Sequence, residues 1–145
     1  MNIIEKDINL NDPGIAFAMD QAAKNPYMIF NGIEVEQLTV DHCIVSMKLR
    51  DEQKNPHGTA HGGVLYTIAD TVAGLLSRAD GRQYMTLDGE IHYLRAASSG
   101  KIYGEGIVVR RGRTTVVMDI SIKDEVGKEL SRTTITMFCI GKPQG

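Results

Sequence analysis

Gly62-Gly63-Val64-Leu65-Tyr66-Thr67-Ile68-Ala69-Asp70-Thr71-Val72-Ala73-Gly74-Leu75-Leu76-Ser77-Arg78-Ala79 is the stretch that decides the fold. From Val64 to about Ala79, the residues Val64, Leu65, Ile68, Val72, Leu75 and Leu76 fall on one stripe at helical spacing. After Asp80-Gly81 the pattern turns to strands: Tyr84 to Ala96, Lys101 to Arg111, Thr114 to Lys123 and Glu129 to Ile140, with Gly100, Gly112 and Gly127 at the turns. Upstream, Ile29 to Val40 and His42 to Leu49 also read as strands. Asp12-Pro13-Gly14 looks like a helix entrance, and a short helix would run through Ala22 until Asn25-Pro26 stops it. One long apolar-striped helix amid so much strand must be covered by the sheet it packs on. The expectation is α+β, an antiparallel sheet of about five to six strands wrapped around one long central helix, plus a short N-terminal helix.

The remaining arithmetic narrows the class. The chain has 145 residues, which fits one domain spanning 1–145. Its 16 Lys+Arg against 18 Asp+Glu leave a formal charge of −2, without the basic excess of a nucleic-acid coat. Cys43 and Cys139 lie far apart in apolar runs, with no Cys/His spacing for zinc, and read as buried free thiols. No stretch approaches the roughly 20 apolar residues of a membrane span. The opening Met1-Asn2-Ile3-Ile4-Glu5-Lys6-Asp7 lacks the basic-then-apolar order of a leader, so a cytoplasmic location is expected.

The chemistry concentrates around Asn55-Pro56-His57-Gly58-Thr59-Ala60-His61-Gly62-Gly63 and the helix that follows. On a helical wheel Asp70 falls opposite the centre of the apolar stripe, with Thr67, Gly74 and Ser77 on its face. Gly74, four residues on, leaves open space beside the carboxylate in this reading. A small, polar second face suits a partner subunit or a ligand. Glycines at a helix N-terminus let a carbonyl approach unpaired N–H groups, which is how main chain builds an oxyanion hole. His57 and His61 are four apart, but Pro56 and Gly58 argue against a helix there, and no metal site is expected. His42 and His92 read as plain strand residues, and the scattered methionines as core.

The spacing of Asn55, His61-Gly62-Gly63 and Asp70 resembles the signature of hotdog-fold acyl-CoA thioesterases, in particular the phenylacetate-pathway (PaaI-type) subgroup. Thr86-Leu87-Asp88-Gly89-Glu90-Ile91-His92-Tyr93-Leu94-Arg95-Ala96 resembles the family's strand after the helix, which usually ends Tyr-Leu-Arg-Pro. Arg110-Arg111-Gly112-Arg113-Thr114-Thr115 resembles its coenzyme A-contacting turn, and Leu130-Ser131-Arg132-Thr133-Thr134 follows its closing strands. Ala96 in place of proline, and Asp88-Gly89-Glu90 within a strand, depart from the family pattern.

The resemblance implies an acyl-CoA thioesterase that releases a carboxylate and free coenzyme A. Gly62 N–H would polarise the thioester carbonyl. Asp70, reaching in from the facing subunit, would be nucleophile or general base. Asn55 would orient water or carbonyl, His61 would position the thioester, and Thr86 would hold the water near Asp70. Gly63, Arg95, Arg111, Gly112, Arg113 and Thr114 would bind substrate and its coenzyme A. The resemblance implies no cofactor, coenzyme A being part of the substrate, and a homo-oligomer (dimer or dimer of dimers) with its active site between subunits. Two alternatives stand beside it: a hotdog dehydratase or hydratase acting on 3-hydroxyacyl thioesters, and a non-catalytic acyl-CoA binding module.

Overall fold

The computed structural model describes residues 6–142. Met1 to Glu5, on which most of the leader expectation falls, lie outside the described residues. The chain runs β1 (Asp7–Ile8), α1 (Pro13–Ala23), α2 (Pro26–Phe30), β2 (Glu34–Leu38), β3 (His42–Lys48), a single 3₁₀ turn (Asp51–Gln53), α3 (Gly62–Arg78), β4 (Gln83–Tyr93), β5 (Lys101–Arg111), β6 (Thr115–Asp124) and β7 (Glu129–Gly141). The strands form one sheet in the order β1-β2-β3-β5-β6-β7-β4, antiparallel except for the β1–β2 pair. This is the hotdog arrangement, with seven strands where about five to six were expected; β1, only two residues long, carries no legible period.

The helix α3 is the core around which the sheet curves. Val64, Leu65, Ile68, Val72, Leu75 and Leu76 are all buried, and Ile102, Met118, Ile120 and Ile135 close over them from the sheet. The approach is close because β5 carries two glycines under the helix. A Cβ at Gly104 would stand 2.7 Å from Ile68 Cγ2, and one at Gly106 2.5 Å from Val72 Cγ1. Gly100 and Gly127 take φ of +88° and +87° at their turns, where side chains are strained.

The N-terminal region departs from expectation. Asp12 caps α1 as read, its Oδ1 accepting from Gly14 N–H at 2.9 Å and from Ile15 N–H at 3.3 Å. Asn25-Pro26 ends α1, but it also starts α2, because Asn25 Oδ1 accepts from Met28 N–H at 3.1 Å and Pro26 occupies the first helical position. The strand expected over Ile29 to Val40 is therefore only Glu34–Leu38. At the other end, β4 stops at Tyr93 rather than Ala96, since the N–H groups of Leu94 and Arg95 both donate to Leu130 O. Cys43 is buried and its thiol is pushed up by desolvation, whereas Cys139 is half-buried, a correction to the pair of buried thiols. His42 is no plain strand residue: its Nε2 lies 2.7 Å from Glu105 Oε2, and that contact first, with Lys123, holds the Glu105 carboxyl below its ordinary range. Met47, Met118 and Met137 are core, but Met85 is exposed.

Candidate active site

The N-terminus of α3 is prepared by the loop before it. Asn55 Oδ1 accepts from the N–H groups of His57 (3.0 Å) and Thr59 (3.2 Å), and its Nδ2 donates to Thr59 Oγ1 at 2.9 Å. The side chain thus holds its own loop. His61 is the N-cap, and its Nδ1 accepts from Gly63 N–H at 2.8 Å. Tyr93 OH donates to Gly62 O at 2.7 Å, so the peptide joining Gly62 to Gly63 is pinned from both sides. Val64 and Leu65 N–H both reach His61 O. Of the first four N–H groups of α3, only that of Gly62 has no acceptor among the described residues. Gly63, expected to contact substrate, has its N–H already taken by His61. A cleft of about 370 Å³ opens here, lined by Asn55, Gly62, Tyr93 and Arg95. Arg95 Nη1 donates to Glu129 O at 2.9 Å.

Asp70 lies in a different cavity, of about 410 Å³, between α3, β4 and the N-terminal helices. Thr86 Oγ1, from β4, donates to Asp70 Oδ1 at 2.7 Å. Tyr66, Thr67, Gly74 and Arg78 share the helix face with Asp70 and line the same space. The open space expected beside Gly74 is part of this cavity, and Arg78 reaches into it, its Nη1 2.7 Å from where a Gly74 Cβ would stand. Arg78 was missed by the sequence reading, although Tyr66, Asp70, Gly74 and Arg78 recur every four residues and could have shown it. Gly89, the odd glycine of β4, makes room for the Tyr66 hydroxyl, with which a Cβ there would collide. Burial and the charges of Asp70 and Asp88 push the Tyr66 phenol above its ordinary pKa.

The arginine turn lies at the other end of α3. Arg111 turns inward: its Nη1 donates to Ser77 O and Asp80 Oδ2, both at 2.8 Å, and its Nη2 to Val40 O (2.8 Å) and Leu76 O (2.9 Å). It caps the carbonyl end of α3, where a cation is favoured. Arg82 binds the same Asp80 and also the carbonyls of Gly112 and Arg113. Burial raises the Asp80 carboxyl, but the hydrogen bonds of Tyr84 and Arg82 and the charge of Arg111 outweigh it and hold it below its usual range. Of the residues expected to bind coenzyme A, Arg111 and the Gly112 carbonyl hold the frame in this chain. Arg113 and Thr114 remain exposed at the turn.

In one chain the three clusters stay apart. Asp70 lies eight residues along α3 from Gly62, about 12 Å at 1.5 Å per residue, and the arginine turn sits at the far end of the helix. Strand β4, at the edge of the sheet, is paired on one side only among the described residues and carries Thr86 and Tyr93.

Comparison with known proteins matches residues 57–131 to the thioesterase superfamily. A Streptococcus pneumoniae hypothetical thioesterase, solved with coenzyme A, is 34% identical with a TM-score of 0.75, over 79% of this chain and 94% of that one. The proofreading thioesterase EntH of Cronobacter turicensis is 27% identical over 113 residues, 76% of this chain and 82% of its own. The PaaI protein of the E. coli phenylacetic acid degradation operon, at 21% identity, shares the fold with a TM-score of 0.87 over 92% of this chain and 98% of that one. The chain belongs to the thioesterase superfamily, with the hotdog fold. It is a thioester hydrolase. No helix among the described residues is long and apolar enough to cross a membrane.

Proposed function

We propose that this protein hydrolyses acyl-CoA thioesters at a site shared by two subunits, Asp70 from one and the α3 N-terminus from the other. The observation that carries the reading is the Gly62 N–H: it is the first-turn donor without an acceptor among the described residues, yet Asp70 of its own chain stands eight residues, about 12 Å of helix rise, further along α3. Atoms that act on one carbonyl must lie within hydrogen-bond reach of it, so one chain holds half a site. Two chains paired through the open edge of β4 supply both halves.

In such a site the thioester oxygen accepts from Gly62 N–H, and the developing oxyanion meets the positive end of α3. Asp70 either attacks the carbonyl carbon, giving an anhydride that water then opens, or takes a proton from the water that attacks it. The carbon–sulfur bond then breaks, the thiolate leaves as free coenzyme A, and the acyl group leaves as a carboxylate. Thr86 fixes one carboxylate oxygen and leaves the other for chemistry. Asn55 and His61 hold the loop and the first turn that present Gly62. Arg95, which lines the cleft at Gly62, and the exposed Arg113 and Thr114 of the β5–β6 turn bind the coenzyme A phosphates in this reading. The exposed position of Arg113 and the solved coenzyme A complex of the S. pneumoniae relative support that placement. The chain acts as one domain, in the cytoplasm, with both cysteines free.

The test is hydrolysis of an acyl-CoA panel (phenylacetyl, benzoyl, acetyl, hexanoyl and lauroyl) by wild type and Asp70→Asn. The reading requires turnover of at least one member and a loss of ~10²–10⁴ in the variant. Thioester binding without turnover by wild type would replace it with the binding-module reading. Single turnover in oxygen-18 water separates the two roles of Asp70: label in its carboxylate requires a covalent anhydride.

A further inference from the structure

We propose that Arg78 selects the acyl group, favouring one whose far end carries an oxygen acceptor, in the first place the carboxylate of a dicarboxylic acid monothioester. The inference rests on the reading of Asp70 as the catalytic carboxylate.

Arg78 reaches back along α3 toward its N-terminus, as helical side chains do, and lies over Gly74. That places the guanidinium one turn from Asp70, about 6 Å along the axis. Both face the same 410 Å³ cavity, which Met28 and Leu75 also line. The guanidinium has five N–H donors and little to give them to. Nη2 donates to Tyr84 O at 3.2 Å. Nε is buried without an acceptor, and Nη1 has none among the described residues. Asp70 does not satisfy it, since that carboxylate is bonded to Thr86 and forms no ion pair with Arg78. Burial lowers the Arg78 pKa below its ordinary value, with the Asp70 charge opposing.

Arg78 is half-buried, its Nε shut away without an acceptor and its Nη1 open to the cavity, so a ligand oxygen there would complete it. An acyl chain with its carbonyl at Asp70 runs past Met28 and Leu75 and brings its far end to Nη1. Gly74 is the residue that allows this, because any side chain there would displace the guanidinium.

The experiment compares adipoyl-CoA, hexanoyl-CoA and 6-hydroxyhexanoyl-CoA, equal in chain length, on wild type, Arg78→Met and Arg78→Lys. Expected is a kcat/KM for adipoyl-CoA at least ~10-fold above hexanoyl-CoA in wild type, because a site built to bind a polar group rejects the analogue lacking it. The order reverses in Arg78→Met and is partly kept in Arg78→Lys. A 6-hydroxyhexanoyl-CoA rate equal to that of adipoyl-CoA identifies a neutral oxygen as the acceptor. Equal wild-type rates on adipoyl-CoA and hexanoyl-CoA overturn the proposal without any variant. So does a uniform loss in Arg78→Met with an unchanged ratio, which would mean that Arg78 serves only the charge of Asp70. If no thioester is cleaved, the hydrolytic reading fails and calorimetric binding decides this one. Tighter adipoyl-CoA binding that is lost in Arg78→Met supports it, and equal binding overturns it.

Discussion

Thr86 and Asp80 show how single side chains hold this site. The Thr86 hydroxyl is the direct hydrogen bond to the Asp70 carboxylate. Thr86→Val keeps the shape and removes the donor, so kcat/KM should fall about 10- to 100-fold, the worth of a hydrogen bond to a charged group. Steady-state kinetics beside a thermal melt would show whether the loss is catalytic rather than structural. Asp80 carries the opposite kind of role. It gathers Arg82, Arg111 and Tyr84 at the carbonyl end of α3, only 14% of its side chain being exposed. Its folded pKa is depressed, so its contribution is complete above the unfolded value of about 3.9 and is lost as pH falls through the folded one. Asp80→Asn should cost about 2 kcal/mol or more at neutral pH by stranding two arginines. Denaturant titrations at pH 7 and in the acid range should show the variant losing less on acidification than wild type. A parallel loss in both would remove Asp80 from the pH dependence.

At the scale of elements, α3 does two jobs with one sequence. Its apolar stripe needs glycines on β5 to come close, and Gly106→Ala should cost about 1–3 kcal/mol through overpacking against Val72, read as a lowered denaturation midpoint. Its first residue needs an N–H rather than a side chain. Gly62→Pro removes that donor at the one helical position that tolerates proline, after His61 in an extended conformation (φ −62°, ψ 137°). Helix content should survive by circular dichroism while turnover drops ~10²–10³. The helix and the long strands were legible because their periods, 3.6 and 2, run for many residues, as in Ile68, Val72 and Leu76. The two-residue β1 and the restart of helix at Asn25-Pro26 were not, since a proline that stops one helix can also open the next. The Asn55, Gly62 and Asp70 motif was legible as a set of positions. The inward commitment of Arg111 was not, because nothing in an Arg-Arg-Gly-Arg run tells which guanidinium turns toward a helix end.

The whole molecule is half of a catalytic unit in this account. The unpaired side of β4 offers a row of backbone donors and acceptors that a second copy can complete. Activity per chain should therefore fall on dilution together with the sedimentation coefficient, as the subunits separate. The most direct measurement mixes two inactive proteins. Asp70→Asn keeps the oxyanion donor, and Gly62→Pro keeps the carboxylate. Unfolded together and refolded, they form mixed dimers in which one of the two sites has both groups intact. Random pairing should restore about a quarter of wild-type activity, since about half of the two-fold assemblies are mixed. Recovery to that level establishes a site shared between subunits. No recovery, with mixed dimers demonstrated by mass, would contradict it and return both groups to one chain.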